Sequence, residues 1–132
     1  MRAKMETCYP ESGKTQMSVV MICDCEKACE QMLEKLGLLG VERIAAFKQV
    51  SPFLACVDRN PDAAVLLMQT GPYSVELALN VRERNAKVPL IWFSDLDFAV
   101  TAFRVRASYF GLLPVTEESL RTALEKVQEE VV

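Results

Sequence analysis

Between Pro61 and Pro72 the chain reads PDAAVLLMQTGP: a turn, an unbroken apolar run from Ala63 to Met68, and a second turn at Gly71-Pro72. Six apolar residues are far too few to span a membrane, and a run this short bounded by turn residues suits a strand. A strand without polar alternation is buried on both faces, so it needs a helical layer above and below it. That is the situation of a central strand in a parallel sheet. Open parallel sheets hold their ligands and chemistry just beyond the carboxyl ends of the strands. Here that end carries Leu67, Met68 and Gln69, with no acid, base or nucleophile.

The rest of the chain supplies the partners such a strand requires. Residues Met1 to Gln16 mix charged, small and turn residues, with Pro10 and Gly13 breaking any period, and read as a flexible amino-terminal extension. Met17 to Cys23 reads as a buried strand ending in the turn Asp24-Cys25-Glu26. The helix after it runs to Leu36, with Cys29, Met32, Leu33 and Leu36 on one face and Gly37 as its cap. Val41 to Phe47 is a second strand. Ser51-Pro52 suits a helix start, with Ser as N-cap, and Pro61 ends that helix by Asn60.

After the opening strand comes a helix over Tyr73 to Arg84, then a strand over Val88 to Phe93. Ser94 or Asp95 can cap a helix running to Arg106, and Ser108 to Leu112 is a short fifth strand. Thr116 caps a final helix whose apolar face is Leu120, Ala123, Leu124, Val127 and Val131, with Glu117 and Glu118 suiting the dipole at its start. Strand and helix alternate five times through short connections. The reading is α/β: a (βα)5 doubly wound domain on a five-stranded parallel sheet, spanning 17–132 behind the extension 1–16.

Composition excludes several functions. The 132 residues carry a net charge of −3, which provides no electrostatic footprint for nucleic acid. There is no histidine, which removes His-based catalysis, His-rich metal sites and phospho-histidine carriage. No apolar run reaches membrane length and no amino-terminal stretch has the pattern of a signal peptide, so the expected location is the cytoplasm. The five cysteines, odd in number, then read as reduced thiols.

Several stretches in this order resemble the receiver domain of bacterial response regulators. VVMICDCEKACEQMLEKL resembles the family's first strand, acidic turn and first helix. NPDAAVLLMQTGP sits where the family has its third strand and phospho-acceptor loop. VPLIWFSDLDFAVTAFRVRASYFGLLPV resembles the fourth strand through the fifth strand and its Pro turn. The opening ICDxE and the closing AFxVxAxxFxLLPV are most similar to receivers that precede LytTR-type DNA-binding domains. The resemblance covers Met17 to Val127 and implies a flavodoxin-like strand order of 2-1-3-4-5.

In that family an aspartate at the end of the third strand takes a phosphoryl group, beside an acidic pair that holds magnesium. A hydroxyl after the fourth strand and a Lys after the fifth contact the phosphoryl oxygens. These groups position and neutralise charge on a group in transfer. By resemblance, Asp24 fills the first acidic position, Cys25 replaces the second, and Glu26 fills the acid that often follows. The acceptor position falls on Leu67, or on Met68 one residue on. Ser94 keeps the hydroxyl, Leu113 stands in place of the Lys, and Phe110 in place of the switch aromatic. Magnesium prefers oxygen to a thiol. Asp62 opens the third strand, so about five residues at ~3.3 Å each put it at the far edge of the sheet.

The expectation is therefore a receiver-like, non-enzymatic domain with no cofactor. It would act in signalling or transcriptional control as a phosphorylation-independent interaction module. Its partner, a protein or a second copy, would dock on the face of helix four, strand five and helix five through Phe98, Phe103 and Phe110, with no direct nucleic-acid or membrane contact. The alternative is a small-molecule or cation sensor. Its pocket would be lined by Leu67, Met68 and Leu113 beside Asp24 and Ser94, and would take an apolar or weakly basic ligand.

Against these stand plainer readings. Asp24, Glu26 and Asp95 are weak metal candidates that serve equally as turn acids and caps. Cys23, Cys25 and Cys29 lack a fourth ligand and a zinc spacing, so Cys23 and Cys29 read as core and Cys25 as exposed. Trp92 and Phe93 read as core. Arg82, Arg84, Arg104 and Arg106 read as dipole partners and solvated surface.

Overall fold

The run Ala64–Gln69 is the centre of a six-stranded, all-parallel sheet in the computed structural model, which describes residues 3–5 and 17–131. In chain order the elements are β1 (Ala3–Met5), β2 (Ser18–Cys23), α1 (Glu26–Leu38), β3 (Arg43–Phe47), α2 (Val50–Arg59), β4 (Ala64–Gln69), α3 (Tyr73–Arg84), β5 (Leu90–Ser94), α4 (Ala99–Arg104), β6 (Tyr109–Leu112) and α5 (Glu117–Val131). The sheet order is β1-β3-β2-β4-β5-β6. Counted from β2, the five core strands follow the order 2-1-3-4-5 expected of the doubly wound fold. The addition is β1, in which Ala3, Lys4 and Met5 pair with Ile44, Ala45 and Ala46. Part of the expected flexible extension is therefore sheet, because the outer edge of β3 offers unpaired N–H and C=O groups that β1 satisfies. The remainder of that extension lies outside the described residues.

Alternate residues of each strand go to opposite layers, as the pleat requires. Val20, Ile22, Val65, Leu67, Leu90 and Trp92 pack beneath α2, α3 and α4, together with Phe53 and Leu77. Val19, Met21, Cys23, Leu66, Met68, Ile91 and Phe93 pack on the other face, against Cys29, Met32 and Leu36 of α1 and Leu120, Leu124 and Val127 of α5. Both faces are covered, and each fully buried Leu or Ile contributes about 1.5–3 kcal/mol. The described part of the apolar face of α5 is the expected one, while the Val131 side chain and Val132 lie outside the described residues.

Several boundaries differ from the sequence reading, each for a local reason. Gly37 lies inside α1. The helix ends in a Schellman arrangement in which Gly40 N–H donates to Gly37 O and Val41 N–H to Leu36 O, with Gly40 at φ +92°. Gln49, not Ser51, occupies the N-cap of α2. Ser94 closes β5, and α4 is only six residues long, its start turned by Asp97, whose carboxylate accepts from Ala99 N–H at 3.0 Å. At α5 the expected cap is present: Thr116 Oγ1 accepts from Ser119 N–H and Ser119 Oγ from Thr116 N–H, each at 3.0 Å. No described helix is long and apolar enough to cross a membrane.

Candidate functional site at the carboxyl edge of the sheet

The carboxyl ends of β2, β4 and β5 lie side by side, with Cys23 opposite Met68 and Met68 opposite Phe93, then Gln69 opposite Ser94. The turns that follow meet above them. Asp24, just after β2, accepts two hydrogen bonds on one carboxylate oxygen, from Thr70 N–H at 2.9 Å and Thr70 Oγ1 at 2.8 Å. Asp95, just after β5, accepts from Gly71 N–H at 2.8 Å. The two acids thus grip the β4–α3 turn from both sides. Gly71 adopts φ +81°, where a Cβ would be strained. Thr70 and Gly71 are the residues that sequence reasoning passed over. The available signal was TGP directly after a buried strand, a turn with two free N–H groups facing acids on both neighbouring strands.

The remaining members of the expected site are dispersed. Glu26 pairs with Lys48 at 3.3 Å on the surface, and Cys25 is exposed at the N-cap of α1 without a side-chain capping bond. Ser94 is fully buried, its Oγ accepting from Leu96 N–H at 3.1 Å. Leu67 is also fully buried and belongs to the layer of Trp92 and α3, whereas Met68 and Leu113 belong to the layer of α1 and α5. Leu67 therefore does not share a space with Met68 and Leu113. A one-residue step along a strand reverses the face, and this separates Leu67 from the other two. Asp24, Glu26 and Asp95 do not come together either: among the described residues no group of three or more His, Cys, Asp or Glu is placed to hold a metal ion.

A different concavity is present. A groove of about 230 Å³ runs between α1 and the β6–α5 connection, lined by Ala28, Gln31, Met32, Lys35, Met68, Leu113, Pro114 and Val115. Its walls are apolar apart from Gln31 and the one charged group, Lys35. Beside it, Cys23 and Cys29 are buried as expected. The hydrogen bond to Cys29 and then burial push the Cys23 thiol up, so Cys23 stays protonated and is no nucleophile.

The aromatic residues divide sharply. Trp92 is fully buried, with Phe98 stacked on it at 5.6 Å and Phe110 edge-on at 5.3 Å. Phe98 and Phe110 thus pack partly into the core instead of standing on a free face. Phe103 is 85% exposed on α4, next to Val100 at 68%, with Leu96 and Leu112 also exposed. The basic residues divide as well. Arg84 pairs with Asp58 on the surface. Arg82, read from sequence as solvated, instead donates to four backbone carbonyls: Val105 and Val88 at 2.8 Å, Asn85 at 3.1 Å and Arg106 at 3.2 Å. Burial and the neighbouring Arg106 charge lower its pKa.

No protein-family model matches the sequence, and no curated protein matches it significantly. Solved structures do. A response regulator receiver domain protein from Clostridium thermocellum aligns with a TM-score of 0.73 at 15% identity, over 87% of this chain and 97% of that one. The signal receiver domain of a modulated diguanylate cyclase from Desulfovibrio desulfuricans G20 aligns with a TM-score of 0.68 at 21% identity, over 88% and 98%. The RcsC C-terminus of E. coli, containing a linker region and a phosphoreceiver domain, aligns with a TM-score of 0.74 at 18% identity, over 95% of this chain and 51% of that one. At these identities the likeness is one of fold: the chain has the receiver-type, flavodoxin-like fold.

Proposed function

We propose that this chain is a receiver-type domain of bacterial signalling or transcriptional control that works by protein contact, without taking up a phosphoryl group on its central strand. The observation that carries the reading is the carboxyl end of β4, where Met68 and Gln69 stand and no carboxylate does. Two further features support it. Asp24 and Asp95 spend hydrogen-bonding capacity on Thr70 and Gly71, and Leu113 provides no cation after β6. Phosphoryl transfer depends on positioned acids and cations around the group in flight, so their loss leaves the fold without the chemistry. Incubation with a small-molecule phosphodonor and magnesium should leave the intact mass unchanged. A phosphoryl adduct that hydroxylamine removes would overturn the proposal.

The contact surface in this reading is the α4–β6 side. Phe103 and Val100 lie three residues apart on α4, with Leu96 before it and Leu112 on β6, and together they leave large apolar side chains in water. A second copy is the simplest occupant, since a self-complementary patch closes into a two-fold dimer. Phe103→Asp should convert a dimer to a monomer in sedimentation analysis while changing unfolding stability by under about 0.5 kcal/mol, as expected for a surface substitution. A wild-type chain that remains monomeric throughout the concentration range removes self-association and leaves a different protein as the partner.

A further inference from the structure

We infer that the groove between α1 and the β6–α5 connection is a binding site for a small monocarboxylic acid with a short, unbranched apolar tail. The site lies on the α1–α5 layer, whereas the proposed contact surface includes α4 of the opposite layer, so the two stand or fall separately. Its shape comes from the sequence of α1. Ala28, Gln31, Met32 and Lys35 recur at helical spacing and form one stripe, which over seven residues at about 1.5 Å each is about 10 Å long. Met68, at the end of β4, forms the floor, and Leu113, Pro114 and Val115 form the far wall.

The volume sets the size of the occupant. The groove holds about 230 Å³, which at about 30 Å³ per water-sized group is room for roughly seven or eight such groups. Two methionines in the lining, unbranched and polarizable, adapt to a flexible chain.

Charge sets the head group. Lys35 is the one ionised residue in the lining and has no ion pair among the described residues. Asp24 and Ser94, which would favour a weakly basic ligand, do not line it. An amine at the end of an apolar trough selects an anion attached to a tail, with Gln31 as a second donor. This ligand class differs from the apolar or weakly basic one expected beside Asp24 and Ser94, because the groove is lined by different residues.

Octanoate is the probe, with octylamine at equal concentration as the charge-reversed control. Binding is read from the methionine methyl signals in a carbon–proton correlation spectrum. Octanoate should shift the Met32 and Met68 methyls saturably, and octylamine should leave them in place. Lys35→Gln should weaken octanoate binding by about tenfold or more, as expected for loss of a charge-assisted partner, and Lys35→Arg should largely retain it. Trp92, buried in the opposite layer, reports through unchanged fluorescence that each variant is folded. Equal shifts with octylamine, undiminished binding in folded Lys35→Gln, or no saturable shift at Met32 and Met68 would each overturn the assignment.

Discussion

Leu67→Asp is expected to abolish cooperative folding. Leu67 is fully buried in β4, with Ile22 and Trp92 as its ladder neighbours. Truncating a buried Leu costs about 2–5 kcal/mol, and a carboxylate left there without a partner costs several more. The sum reaches the whole stability of an ordinary domain, about 5–15 kcal/mol. Leu67→Ala should still fold, with a loss of about 3 kcal/mol in urea titration. The same acid one residue on should be milder but still costly: Met68, only 4% exposed, lies at the floor of a groove whose lining includes Lys35. Circular dichroism of the two aspartate variants decides the point. Equal tolerance of both would show that β4 does not sit in the described register.

Arg82→Ala should lower stability by about 2–4 kcal/mol. Its guanidinium joins the carbonyls of Val105 and Arg106 after α4 to those of Asn85 and Val88 between α3 and β5. A hydrogen bond to a charged donor is worth about 1.5–3 kcal/mol, and three of these four are part-buried, so water can replace the guanidinium only in part. Lys should not restore it, because one ammonium cannot reach carbonyls spread around a planar fork. Arg84→Ala, which removes only the exposed pair with Asp58, should cost under about 1 kcal/mol. Chemical denaturation of the three variants measures the contrast. A loss under about 0.5 kcal/mol for Arg82→Ala would mean that water replaces the clamp without penalty.

Much of the fold is legible from local pattern. The run Ala64–Met68, the alternation with amphipathic segments, the exact span of α3 and the Thr116 cap all depend on residues near one another in sequence, so periodicity and turn chemistry reveal them. The helices do not start at Ser51 and Ser94, because a capping residue type marks a possible start while the chain's path decides which one is used. The site was less legible. That the end of β4 carries no acid could be read directly, but the face taken by Leu67 depends on register, and a window of one residue spans both outcomes.

By itself, the sequence determined that this chain builds a doubly wound parallel sheet with an uncharged end to its central strand. A strand apolar on both sides must be covered on both faces, and the alternating amphipathic segments supply helices to do it. Tertiary structure alone decided which side chains share a space at that end. It sent Leu67 to one layer and Met68 to the other, turned Asp24 and Asp95 onto Thr70 and Gly71, drew Arg82 onto four carbonyls, and set Lys35 in the wall of the groove. Most of these join residues distant in the chain, as Asp24 with Thr70 and Arg82 with Val105, and their meeting is set by crossover and register, quantities that no local window contains.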